Sequence, residues 1–225
     1  MSLIHAIILG IIQGVTEFLP VSSSGHLVLF QKIFGISDPS ITFEIVVHLG
    51  TLVAVFAVFW RDIVRLLRRP FQKLTYLIIV GTIPTGIIGV VFKDFFEEVF
   101  RSGRLLGFAF IFTGLVLYFA ENFNIGRKGL EETSYLNAAF VGVMQGVAIL
   151  PAVSRSGLTI SGALFCDIDK DFAAKFSFLL SIPAILGAAV LDMKDLLGTG
   201  IDTSDAMNLG VGFLFAAIFG YISIK

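Results

Sequence analysis

Charge is what this sequence has least of. Asp, Glu, Lys and Arg make up 15% of its 225 residues while 56% are hydrophobic, a balance that excludes a soluble domain of this size. Cysteine is reduced to Cys166 alone, so no disulfide can form within the chain and no redox compartment can be read from it. With a net charge of −1 and no basic stripe carrying interleaved aromatics, nucleic acid is excluded as a partner. The first ten residues hold no Lys or Arg ahead of their apolar run, so a cleavable leader is not expected.

Long uncharged runs fill the space that charge leaves. A hydrocarbon core about 30 Å thick needs roughly 20 apolar residues per helix. Leu74 to Phe92, Leu105 to Ala120, Phe176 to Leu191 and Ala206 to Ile224 carry no charge, and Ile45 to Trp60 has His48 as its one titratable group. The chain therefore reads as an all-α, multi-pass integral membrane protein.

Two polar stretches interrupt this pattern, and they are copies of each other. "QGVTEFLPVSSSGHL" (Gln13 to Leu27) aligns with "QGVAILPAVSRSGLT" (Gln145 to Thr159) at a constant offset of 132, with seven of fifteen positions identical. The matches are Gln, Gly, Val and Ser, whereas chance likeness between apolar segments would match Leu and Ile, so a duplication is the favoured reading. Repeat 1 covers about residues 1–122 and repeat 2 about 133–225 of a single membrane domain. Each opens with an apolar stretch broken by Pro and Ser, giving paired half-helices over 2–19 and 24–35, and again over 135–150 and 156–166. Neither half is long enough to cross, so each pair is expected to fold back as a re-entrant hairpin, and broken backbone at that depth is tolerated only against protein or a water-filled cavity.

Three crossings follow the first hairpin: Thr42 to Trp60, Leu74 to Phe92 and Leu105 to Ala120. An odd number inverts the second repeat, so the two breaks can meet near the midplane. Repeat 2 supplies two crossings, Asp171 to Leu191 and Ala206 to Ile224. The densest cationic cluster is Arg61, Arg65, Arg68, Arg69 and Lys73, and placing it in the cytoplasm puts ten Lys and Arg inside against five outside, with the first hairpin opening outward.

Glu17 and Arg155 cost about 2.5 to 3.5 kcal/mol each to insert in a bilayer, which marks them as functional candidates, although Glu17 would be unremarkable on a shallow hairpin. Ser22, Ser23 and Ser24, like Ser154 and Ser156, stand at helix starts, where they can cap the backbone. Two helix N-termini and an arginine facing one cavity would also favour a phosphate or diphosphate. His26 lies three residues after Ser23, on the same face at a helix start, so the two form a minimal nucleophile and base. Glu17 would then orient the imidazole or hold a metal. Gln13 and Gln145 could bond within the site, while His5 and His48 read as packing or interfacial residues.

These residues resemble a known family. "QGVTEFLPVSSSGHL" is similar to the glutamate-rich motif and the serine/histidine stretch of the undecaprenyl-diphosphatase family, membrane lipid diphosphatases linked to bacitracin resistance. "PAVSRSGLTISG" is similar to its second motif, Pro-Gly-x-Ser-Arg-Ser-x-x-Thr, and "FSFLLSIPAILGA" and "HLGTLVAVF" extend the likeness over most of the chain. The resemblance implies hydrolysis of a polyprenyl diphosphate to the monophosphate and inorganic phosphate, recycling the lipid carrier for cell-wall synthesis. It implies a plasma-membrane enzyme acting at the outer face with a divalent cation, Mg2+ or Ca2+, and a homodimer is admitted as an assembly. Glu17, Ser23, His26 and Arg155 are its catalytic residues by position, Glu17 is its metal ligand, and Ser22, Ser24, Gln13, Ser154, Ser156 and Thr159 bind substrate. Three departures stand out: Gln13 replaces a frequent glutamate, Ala152 replaces a glycine, and Lys225 falls where the family's last helix would begin.

Two competitors remain to be weighed. The other class of membrane lipid phosphatase requires a histidine after the Ser-Arg pair and a lysine seven residues before Arg69, and this chain has neither. A transporter or flippase for an anionic or lipid-phosphate substrate uses the same inverted, broken-helix layout, and stays as the alternative.

Overall fold

A computed structural model describes residues 1–36, 41–102, 105–123, 126–199 and 206–225. These form eleven helices, and the described residues contain no strand beyond one isolated bridge between Lys128 and Ile168. The all-α membrane architecture is as expected.

The first half-helix, α1 (Leu3–Phe18), starts on the side chain of Ser2, which accepts from His5 N at 3.3 Å. It stops because Leu19 precedes Pro20 and is forced into extended backbone, with φ −72° and ψ 144°. Ser22 then caps α2 (Ser23–Ile33). The second break is longer: α8 (Tyr135–Val147) ends on Ala148 at φ −76° and ψ 5°, ahead of Pro151, and Ser154 caps α9 (Arg155–Phe165). At 1.5 Å per residue, the 11 residues of α2 and of α9 span about 16 Å, roughly half a bilayer.

Among the described residues, α5 (Lys73–Val91), α10 (Lys170–Thr199) and α11 (Ala206–Ile224) are long and apolar enough to cross a membrane, α3 (Ile41–Val58) is so together with the helix that follows it, and α7 (Leu106–Phe123), an expected crossing, is apolar but shorter. Two short helices were not anticipated. The expected crossing through Trp60 ends earlier, at Val58, where the chain bends by 79° into α4 (Trp60–Arg68). The second, α6 (Lys93–Ser102), follows α5.

Small residues decide which helices meet. A Cβ added to Gly14 of α1 would lie 2.7 Å from Gly220 N and 2.8 Å from Ala216 O, and one added to Gly10 would lie 2.6 Å from Gly212 O, so α1 rides directly on the backbone of α11. At the offset of 132, Gly142 of α8 presses on the backbone of Gly81 and Gly146 on the side chain of Ile88, both in α5. Gly-x-x-x-Gly spacing permits such approach in lipid, where close packing must do the work that the hydrophobic effect does in water. Each hairpin therefore leans on a long helix from the other half of the chain.

Candidate functional site

The breaks meet at Glu17. Its side chain is buried, with the residue 6% exposed, and both carboxylate oxygens are in use. Oε2 accepts from Ser23 Oγ at 2.5 Å and from Gln13 Nε2 at 2.9 Å, while Oε1 accepts from Arg155 Nη2 in an ion pair. Ser23 and Arg155 are the first residues of α2 and α9 and occupy equivalent places at the offset of 132. One carboxylate thus ties the starts of two half-helices together.

Around this centre the capping hydroxyls hold the backbone. Ser22 Oγ accepts from Gly25 N at 3.3 Å and Ser154 Oγ from Gly157 N at 3.1 Å. Ser24 lies 3.4 Å from Ser22, and Ser156 lies 3.2 Å from Ser154, oxygen to oxygen. Ser156 Oγ also donates to Leu19 O at 3.0 Å, stitching the second break to the first. Thr159 Oγ1 donates to Arg155 O at 2.8 Å and shares a 2.6 Å bond with Ser177 Oγ. The first N–H groups of each half-helix have no acceptor within their own helix, so both helix starts add donors and partial positive charge. Arg155 Nη1 is buried and finds no partner among the described residues.

The expected pairing of Ser23 with His26 is not the one made. Ser23 donates its hydrogen bond to Glu17, and His26 turns back, donating from Nδ1 to Ser22 O at 2.7 Å with its ring edge-on to Phe110 at 5.4 Å. The histidine that faces Glu17 is His48 of α3, with Nε2 at 3.7 Å from Oε2. Its Nδ1 donates to Glu44 O at 2.8 Å, which turns Nε2 toward the carboxylate. The reading of His48 as a packing residue is therefore corrected, whereas His5 does pack, stacked on Phe34 at 4.9 Å. A signal was present: an ionisable residue alone in an apolar crossing marks a site by default.

The two glutamines differ. Gln13 donates to Glu17, while Gln145 Nε2 donates to Thr85 Oγ1 at 3.2 Å, away from the carboxylate. Ala152 stands in left-handed backbone, φ +64°, which accounts for the glycine expected there. Its methyl lies against Gly25, where an added Cβ would approach to 2.9 Å.

Comparison with known proteins gives the chain a family. The family described as bacitracin resistance protein BacA matches residues 6–225. A protein of Carboxydothermus hydrogenoformans named undecaprenyl-diphosphatase is 56% identical over 227 residues, covering 100% of this chain and 87% of that protein. Proteins of the same name from Halothermothrix orenii and Methanosphaera stadtmanae are 47% and 41% identical, each covering 100% of this chain and 88% of the relative. The chain belongs to the bacitracin resistance protein BacA family.

Proposed function

We propose, from this membership and from the site, that the chain hydrolyses undecaprenyl diphosphate to undecaprenyl monophosphate and inorganic phosphate. The observation that carries the chemistry is the 2.5 Å hydrogen bond from Ser23 Oγ to Glu17 Oε2, beside Arg155. Ser23 Oγ attacks the terminal phosphorus and passes its proton to Glu17. The bond from that phosphorus to the bridging oxygen breaks, and the lipid monophosphate leaves. Water then cleaves the phosphoserine, releasing inorganic phosphate and restoring the hydroxyl. Arg155 keeps Glu17 with Nη2 and offers Nη1 to the phosphoryl oxygens, joined by the N–H groups that start α2 and α9. His48 Nε2, facing the same carboxylate oxygen, is suited to take the proton onward.

A divalent cation held by the protein alone does not fit these residues. Glu17 has both oxygens bonded, and the described residues contain no group of three or more His, Cys, Asp or Glu able to hold a metal. A Mg2+ or Ca2+ carried in on the diphosphate is the form compatible with a single carboxylate. The distribution of Lys and Arg supports a plasma-membrane enzyme whose site opens to the outer face.

The test is phosphate release from undecaprenyl diphosphate by purified protein, comparing wild type with Ser23→Ala, His26→Ala and Arg155→Ala. Ser23→Ala should bind substrate without turnover, and Arg155→Ala should lose both. Equally slow release by all four proteins would end the enzymatic reading. A transporter, the less favoured alternative, would keep moving substrate after Ser23→Ala with only its affinity changed.

A further inference from the structure

The bend after α3 produces a feature that the catalytic site does not use. If α3 crosses the bilayer, a helix turned 79° from it runs along the membrane surface. On α4, Arg61, Arg65 and Arg68 recur at helical spacing, and Arg69 follows on the same side. All four are exposed, and no acidic side chain among the described residues pairs with them. The acid within the helix, Asp62, is taken by Lys175 of α10 at 2.6 Å.

The remaining faces are apolar and divide in two. Ile63 is buried in the core together with Leu74 and Leu77, with Leu66 packed against it, so α4 is fixed to the body of the protein. Trp60 and Leu67 lie on the flank between that buried side and the arginines, 61% and 76% exposed. Phe71, just beyond the helix, is 87% exposed. An exposed indole and leucine beside a row of guanidinium groups match the cross-section of a helix seated among headgroups, and four cations with no acidic partner among the described residues attract anions there.

We propose that α4 is a binding site for anionic phospholipid headgroups, distinct from the substrate site, holding the end of α3 at the membrane surface. Trp60 is the chain's single tryptophan, so its emission reports on this helix alone. The full chain is reconstituted into phosphatidylcholine vesicles containing equal mole fractions of either brominated phosphatidylglycerol or brominated phosphatidylcholine.

Brominated phosphatidylglycerol should quench Trp60 at an apparent affinity at least about fivefold higher, roughly the effect of one surface charge. The preference should decline as salt rises, because exposed charges are screened. It should vanish in R61Q/R65Q/R68Q/R69Q and persist when the same four are changed to Lys, and soluble glycerol phosphate should not compete. Equal quenching by both lipids in wild type, quenching by neither, or a preference indifferent to salt would each overturn the proposal. The salt series needs no variant, so it decides the matter even if the glutamine protein fails to fold.

Discussion

The two broken hairpins have one frame and opposite chemistry. Both contain a proline in the break, restart on a capping serine, and carry Gly-x-x-x-Gly on the helix before the break. They differ where side chains reach the centre. Glu17 of the first stands opposite Ile149 of the second, Ser23 opposite Arg155, and His26 opposite Leu158. Copies that had kept identical residues would bring two carboxylates together, or two cations. Divergence at equivalent positions instead produces an acid and a base that meet as a pair, with the hydroxyl on the acid's side. The duplicated backbone provides position, and the unequal residues provide reactivity.

The largest effect is expected from erasing that inequality on the first hairpin. Glu17→Ile, which copies the second, should lower phosphate release by at least about a thousandfold, since it removes the acceptor of the Ser23 proton and the partner of Arg155 together. Next is Arg155→Ser, which copies the first hairpin onto the second. It leaves Glu17 buried without its cation and should destabilise the protein by about 3 to 5 kcal/mol. Unfolding in detergent would measure this, and adding Glu17→Gln should restore much of the stability but no turnover. A double variant no more stable than Arg155→Ser would show that the pair does not couple the hairpins.

His48→Gln should slow turnover by about 10- to 100-fold with little change in folding, and an unchanged pH–rate profile would remove the histidine from the proton path. The smallest effect is expected at Ala152. Exchange for glycine relieves the left-handed backbone at φ +64° and should raise stability by about 1 kcal/mol. A loss instead would show that the methyl contact with Gly25 outweighs the strain.

Legibility in the sequence followed the same division. The half-helices could be bounded to within a few residues because Pro20, Pro151 and the capping serines punctuate the backbone locally. The convergence of Glu17 and Arg155 could also be anticipated, since it follows from where the breaks fall. Which histidine faces Glu17 could not, because that depends on the register of α3 beside α1, set by side-chain packing over long separations. Helix α4 escaped for another reason: its arginines read as a cytoplasmic charge cluster, although their spacing of four and three is helical.

The seam between α1 and α11 has a consequence for how the molecule is made. The glycine face of α1 finds its backbone partner in a helix that follows almost the whole described chain later, and α8 can dock on α5 well before then. The half carrying Ser23 and Glu17 therefore closes only once α11 has been made, so assembly of the nucleophile's cradle follows the docking of α8 on α5.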